Sequence, residues 1–520
     1  MRIFTRCFMM SLACLFMMTS SAQNRRYLDP IFKEVNVTAP QGLAENYTIL
    51  NWIATGGVAH TLKQPLVAQF YSPKGDTKTN RPLIIYIHTG NFFPYPANGS
   101  CGGTMQDSSN VEMATRLAKM GYVVAVVNYR QGWNPFDQNE LIRRFFLINA
   151  AYRGVQDMST YVRYFRRSVA ELGNPHGIDP NKITLWGQGT GGYLSLAAAY
   201  LKSYPEIFNT ADPLKFVLTP PVAPSNIPMV IEGYNGTLTA EGPITKVDAT
   251  YNALLKLPLG DTLCIPYHVG FSSNFALAVN LGGALGDSTW MSPGEVPLIS
   301  FHVDTDPFAP YKTDVLNVPT PLGPQPVVEV SGSFDLAKRG DRLGLNNVFK
   351  TIPTGRDPFN AFNKTGNLGY YEFRGTPANS SSPWEWAATA STSSGASGCN
   401  INPVTSKTYI DTIIGYFAPR GCVALGLNCD FNSSVKEVSE AQVNLFMSPN
   451  PATAEINISV ANDKPIRSYS VYDISGKMLR NYNDVNANYL TLRRENLQNG
   501  LYLVQLRFDE GVLTKRVIFE

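Results

Sequence analysis

The stretch ITLWGQGTGG, Ile183 to Gly192, has residue types and spacing that suit one piece of chemistry, a nucleophile mounted on a sharp strand-to-helix turn. At such an elbow the central residue takes a strained backbone conformation. Its neighbours must be small, because the helix passes close to the strand it follows. Gly187, Gly191 and Gly192 meet that steric demand. The chemical demand is unmet: Gly189 holds the central place and has no side chain with which to attack a carbonyl carbon. Thr190, the nearest hydroxyl, starts the helix, where its N–H would point at an oxyanion and its side chain away from the acyl carbon. Cys101 has no neighbouring His or Asp to activate it and reads as a packed or paired cysteine.

An elbow needs a sheet to carry it, and the surrounding pattern supplies one. PLIIYIHTG (82–90) and YVVAVVNYR (122–130) are continuous apolar runs of the kind buried on both faces of a parallel sheet. Between them SSNVEMATRLAKMG has helical spacing and ends at Gly121, which gives a strand–helix–strand crossover. A helix is expected over Asn149 to Gly173, then the strand and helix on either side of the elbow. KFVLTP, VPLISFHVDTD and YYEFRG are the later strands. This alternation predicts an α/β sandwich with a mostly parallel central sheet. Turn residues crowd 221–290, which reads as a cap-like insertion over the sheet; 319–350 is irregular, and 378–402, with Trp384 and Trp386, reads as a surface loop.

From about 82 to 418 the chain resembles the α/β-hydrolase family, on the secreted carboxylesterase and lipase branch. The resemblance rests on NKITLWGQGTGG, the helix containing QDMSTYVRYF, and IYIHTGNF. It implies that His88, Thr89, Gly90 and Asn91 form the oxyanion loop, with Thr89 where a glycine is customary. Gly90, Asn91 and Thr190 would then offer amides to a carbonyl or carboxylate oxygen. ISFHVDTDPFAPY places Asp306, rather than Asp304, at the triad-acid position. The family's base follows the last strand, and no histidine occurs after His302, so the order nucleophile, acid, base is incomplete. Ser382 falls near the missing base but cannot do an imidazole's proton transfer. His302, inside a strand pattern, reads as a packed, hydrogen-bonded imidazole, and His268 lies in the insertion. Stripping triad members leaves only ~10³ to 10⁴-fold acceleration over water. The expected function is therefore that of a catalytically inactive binding or scaffold module for an ester-like or carboxylate ligand. The competing expectation is a weak carboxylesterase or lipase-like enzyme with a non-standard nucleophile, Thr190. No cofactor is implied, and no metal site is expected, because histidines are few and none stands near a cysteine pair at ligand spacing.

The ends of the chain speak about location. Arg2 and Arg6 precede an apolar stretch shorter than the roughly 20 residues that span a bilayer. Ser20-Ser21-Ala22 completes the outline of a signal peptide over 1–22. Its removal leaves Cys101, Cys264, Cys399, Cys422 and Cys429, an odd number with several pairings open, Cys422 with Cys429 or with Cys399 among them. The balance of 43 basic and 40 acidic residues forms no long block of either sign, so no nucleic-acid partner is expected. After a hydrolase-like domain over 23–435 and a linker at 436–444, residues 445–520 alternate with period two between turns and predict a small all-β sandwich. SPNPATAEINI, VYDISGKML, LQNGLYLVQL and TKRVI resemble the C-terminal sorting domain of the Bacteroidota type IX secretion system. That resemblance implies passage through the periplasm, handling by the type IX machinery, and release or attachment to surface lipopolysaccharide outside the cell.

Overall fold

Residues 25–50, 60–93, 98, 102–133, 137–255, 257–318, 324–359, 366–376, 380–386, 399–400, 402–431, 438–474, 477–483 and 485–520 are described in this computed structural model. They fall in two units, Met1–Cys429 and Asp430–Glu520. The signal peptide expected at 1–22 and Cys101 lie outside the described residues.

In the first unit an antiparallel group precedes the first strand expected from the sequence. β1 (Val35–Val37) and β2 (Gln41–Leu50) both pair with the long β3 (His60–Pro73). β4 (Arg81–Ile87), β5 (Val123–Val127) and β6 (Ile178–Gln188) follow, with α1 (Ser108–Lys119) and α2 (Glu140–Ala170) as crossovers. Helix α2 starts at Glu140, ahead of the expected Asn149, because the Asn139 side chain caps it by accepting the Leu141 N–H at 2.9 Å. Past the elbow, α3 (Thr190–Tyr200) leads to β7 (Leu277–Leu281), β8 (Leu298–Val303), the hairpin of β9 (Asp314–Val318) and β10 (Gln325–Val330), α4 (Ser333–Arg342), β11 (Tyr370–Phe373), β12 (Ser382–Trp386) and α5 (Pro403–Ala424). The main sheet has nine strands in the order β1-β3-β5-β4-β6-β7-β8-β11, with β2 paired to β3, and it is parallel from β5 to β11.

Side-chain alternation along the strands sends neighbours to opposite faces. Trp186 of β6 packs edge-on against Phe417 of α5, ring centroids 4.7 Å apart, while Leu185 joins the core built with Val155 of α2 and Leu194 of α3. A buried ion pair pins the loop after β5 to α2: Arg130 Nε donates to Asp157 Oδ1 at 2.7 Å, and both side chains are fully enclosed. Arg130 also donates to Tyr47 O, Arg153 O and Gln156 Oε1, so the desolvated cation is satisfied.

Two stretches differ from expectation. The segment 221–290, read as an insertion, contains β7, which lies between β6 and β8 in the middle of the sheet. β7 is five residues long and carries Asn280, whose buried amide donates to Ser300 Oγ and Ser333 Oγ. This polar but satisfied residue breaks the apolar run. The irregular 319–350 holds β10 and α4, and in the expected surface loop Trp384 is fully buried. Cys422 and Cys429 form a disulfide, and Cys264 is a buried free thiol.

In the second unit the paired strands are all antiparallel, with one isolated parallel bridge between Ala452 and Phe519. One sheet joins β13 (Phe446–Ser448), β14 (Glu455–Ser459) and β17 (Tyr489–Arg493). The other has the order β16 (Met478–Tyr482), β15 (Ser468–Asp473), β18 (Gly500–Arg507), β19 (Val512–Phe519). Ile456, Ile458, Val471, Val504 and Val517 share one core, as the period-two pattern requires.

Candidate functional site

At the end of β6 the chain turns sharply into α3 through Gly189, at φ 52° and ψ −115°. A side chain is strained in that conformation. The turn is pinned by the Gly189 N–H, which donates to Leu281 O of β7 at 2.7 Å. Its flanking glycines are required by contact. A Cβ on Gly187 would lie 1.8 Å from Gly191 O, one on Gly191 2.2 Å from Ile87 O, and one on Gly192 2.3 Å from Asn280 Oδ1. At Gly189 itself the obstruction is a side chain: a Cβ there would fall 2.2 Å from Thr89 Oγ1 and 2.9 Å from Thr89 Cβ. Thr89 therefore fills the space into which a residue-189 side chain would project.

The loop after β4 runs through Gly90, Asn91 and Phe92 at φ 135°, 54° and 57°, which folds it over the start of α3. Its carbonyls and side chains are tied down. Tyr129 Oη donates to Thr89 O at 3.1 Å, Trp133 Nε1 to Asn91 O at 2.8 Å, and Asn91 Nδ2 to Asn98 O at 2.9 Å. His88 stacks on Tyr129 with centroids 4.8 Å apart and its Nδ1 meets Thr89 O. Burial holds its pKa down to about 4, so the imidazole is neutral. Of the three amides expected to hold an oxygen, that of Asn91 is engaged, donating to Thr190 Oγ1 at 2.8 Å. The Gly90 and Thr190 N–H groups donate to no acceptor among the described residues.

Gly90, Asn91, Gly189 and Thr190 thus meet at the carboxyl ends of β4 and β6. Beside them, Asn91 and Thr190 help to line a cavity of about 130 Å³. Its wall is otherwise almost wholly apolar, with Tyr152 and Val155 from α2, Tyr193 from α3, Trp290, and Val328 from the hairpin. The hairpin's part in that wall was invisible in the sequence.

Asp306 stands at the carboxyl end of β8 and lines a second cavity that shares no residue with the first. Its Oδ1 accepts the Phe308 and Ala309 N–H groups at 2.8 and 3.1 Å, yet burial dominates and pushes its pKa up to about 7. His302 Nε2 lies 3.8 Å from Asp306 Oδ2, but this is no ion pair, because burial lowers the imidazole to about 4. His302 is a packed histidine, Nδ1 at 2.8 Å from Ser333 Oγ and Nε2 at 3.1 Å from Ala309 O. His268 sits elsewhere, with Nε2 at 3.0 Å from Leu43 O, and Ser382 begins β12.

One buried network behind the elbow was not anticipated. Gln188 Oε1 accepts from Tyr86 Oη at 2.9 Å and lies 3.0 Å from Ser109 Oγ, and at the start of α1 the Ser109 N–H donates to Glu385 Oε1 at 3.3 Å. Burial, with Asp107 adding to it, pushes Glu385 up to about 7. Glu385 comes from the stretch read as a surface loop, so no apolar pattern marked it. Among the described residues no group of three or more His, Cys, Asp or Glu side chains is placed to hold a metal ion, and no helix is long and apolar enough to cross a membrane.

Residues 68–239 match the BD-FAE family, and residues 447–520 match the family described as a secretion system C-terminal sorting domain. Secreted lipase 5 of Gibberella zeae is 28% identical over 148 residues, 26% of this chain and 24% of that protein, so the chain spans about a quarter of that relative's length. The solved structures of a thermophilic esterase from Thermogutta terrifontis, with propionate or butyrate bound, are each 14% identical. They cover 71% of this chain and 95% of theirs, with TM-scores of 0.31 and 0.32. The sorting domain assigns the chain to the secreted and cell-surface substrates of type IX secretion and to interaction with that machinery. The chain carries an α/β-hydrolase-fold domain, of which residues 68–239 match the BD-FAE model, followed by a C-terminal type IX secretion sorting domain.

Proposed function

We propose that the first unit is a catalytically inactive member of its fold that binds a carboxylate or ester-like ligand outside the cell. In this reading the ligand's oxygen rests on the Gly90 and Thr190 amides and its apolar part in the adjoining cavity. The observation that carries the reading is Thr89: its side chain stands where a nucleophile at position 189 would project, beside a glycine that has none. Asp306 keeps the acid's place in the chain but has no imidazole to orient, since no histidine follows His302. Thr190 as a substitute nucleophile is disfavoured by its hydroxyl's bond from the Asn91 N–H. Attachment to surface lipopolysaccharide, with residues 445–520 removed, is the second part of the proposal; a mature surface form that retains those residues overturns it.

The test is made on the full chain with a serine-directed fluorophosphonate, read by intact mass, and with short acyl esters as substrates. Octanoate serves as the binding probe, followed through tryptophan fluorescence, to which Trp290 in the cavity wall contributes and which is compared with a Trp290→Phe variant. No labelling, no turnover and saturable octanoate binding are expected. Stoichiometric labelling at Thr89 or Thr190, or turnover lost in Thr190→Ala, overturns the reading in favour of a weak ester hydrolase.

A further inference from the structure

We propose that the cavity at the carboxyl ends of β8 and β11 binds a small organic cation through a primary ammonium group. The strand register builds the site. β8 and β11 pair in parallel with His302 opposite Glu372, and the period of two then puts Asp304 on the same face as both. The Asp304 N–H donates to Phe373 O at 3.1 Å, which holds the end of β8 against β11. Beside them the segment after β8 supplies Tyr311, Lys312 and Asp314, which line an open cavity of about 640 Å³.

Two carboxylate oxygens in this cavity are buried without a well-formed hydrogen bond among the described residues, with the Tyr311 hydroxyl standing beside Glu372. The Glu372 side chain is 4% exposed; Arg374 Nε donates to its Oε1, and Oε2 is buried without a hydrogen bond. Asp304 Oδ1 is likewise buried and unbonded. A buried acceptor left unpaired costs about 1–3 kcal/mol, more when charged, so a ligand that donates to both is favoured. Four acidic side chains line the cavity, Asp304, Asp306, Asp314 and Glu372, the second pushed up to about 7 by burial, against Lys312 and Arg374. Lys312 is directed elsewhere, its Nζ 5.6 Å from the centre of the Phe334 ring.

The occupant's chemistry follows from these groups. A compact metal ion is disfavoured because no cluster of acidic or imidazole groups converges closely enough among the described residues. A primary ammonium has three N–H donors on one centre and can bridge carboxylates that are too far apart to share a metal. Its carbon stem can lie on the apolar faces of Phe308 and Tyr311, which also line the cavity. This site shares no lining residue with the elbow cavity and stands whether or not the elbow binds an acid.

The full chain is titrated calorimetrically with n-butylammonium, with tetramethylammonium, which has no N–H, and with 1-butanol, which has no charge. Saturable n-butylammonium binding is expected, with tetramethylammonium weaker by roughly tenfold or more and 1-butanol showing no saturation. Glu372→Gln is expected to weaken n-butylammonium by roughly tenfold or more while keeping the parent's thermal midpoint. Asp304→Asn is the second variant, at a less enclosed residue, and is read in the same way. Non-saturable n-butylammonium binding overturns the proposal. So does equal binding of tetramethylammonium, or binding that survives in a folded Glu372→Gln or Asp304→Asn variant.

Discussion

Replacing Gly189 with serine, the residue an active elbow would carry, forces two strains on this fold. The first is conformational: φ 52° with ψ −115° lies outside the regions open to a side chain, and holding one there costs about 1–3 kcal/mol. The second is steric, because the new Cβ would sit 2.2 Å from Thr89 Oγ1 and 2.9 Å from Thr89 Cβ, an overlap worth about 1–3 kcal/mol if the loop cannot fully yield. Gly189→Ser should therefore destabilise the first unit by about 2–6 kcal/mol. Only the steric part depends on Thr89. Thr89→Gly leaves nothing nearer than the Cα, at 3.8 Å, and should recover about 1–3 kcal/mol in the double variant. Thr89→Ala keeps its own Cβ at 2.9 Å and should recover less. The assay is urea unfolding of all members of the cycle followed by tryptophan fluorescence. All six tryptophans precede residue 430, so the signal reports the first unit alone. Equal m-values are needed for the midpoints to be compared as stabilities. If Gly189→Ser is as stable as the parent, or if Thr89→Gly and Thr89→Ala rescue it equally, Thr89 does not fill the nucleophile's space. The double variant still lacks an imidazole, and its ester turnover should remain near background.

Asp157→Ala strands the Arg130 guanidinium in a fully enclosed place and should cost about 3–5 kcal/mol, read as a lowered unfolding midpoint; a loss within experimental error refutes the role given to the pair. Glu385, Asp306 and Asp107 have folded pKa values raised by burial to about 7, 7 and 6. Their protonated forms are favoured by the fold, so their contribution is full below the unfolded values near 4 and is lost as pH rises through the folded ones. Stability should fall between about pH 4 and 7, by up to about 1.4 kcal/mol per pH unit for each group, and Glu385→Gln should flatten that slope in urea titrations at several pH values. A Glu385→Gln slope as steep as the parent's contradicts the assignment. Cys264 is a buried thiol whose pKa burial raises, so peptide mapping after iodoacetamide should find it modified only once the first unit unfolds; rapid modification of the native chain would place it at an accessible surface.

The elbow was legible because its glycines answer to backbone contacts that spacing alone encodes: Gly187, Gly191 and Gly192 each face a main-chain or side-chain atom closer than 2.5 Å to where a Cβ would stand. β7 was not legible, since Asn280 interrupts its apolar run and its buried amide donates to Ser300 and Ser333, 20 and 53 residues away in the chain. The same distance in sequence hid Glu385, which closes a network on Ser109, and Glu372, which meets Asp304 only through strand register. Thr89 shows how a pair differs from two single residues. In the sequence it is a threonine where a relative of this fold would carry glycine, and Gly189 is a glycine where one would carry serine. In the structure the two substitutions occupy one volume, and each makes the other tolerable. A lone glycine at position 189 would mark a loss that one substitution could reverse. With Thr89 beside it, the space of a side chain at position 189 is held by the neighbouring loop, and on the reading proposed above a serine there requires that loop to change as well.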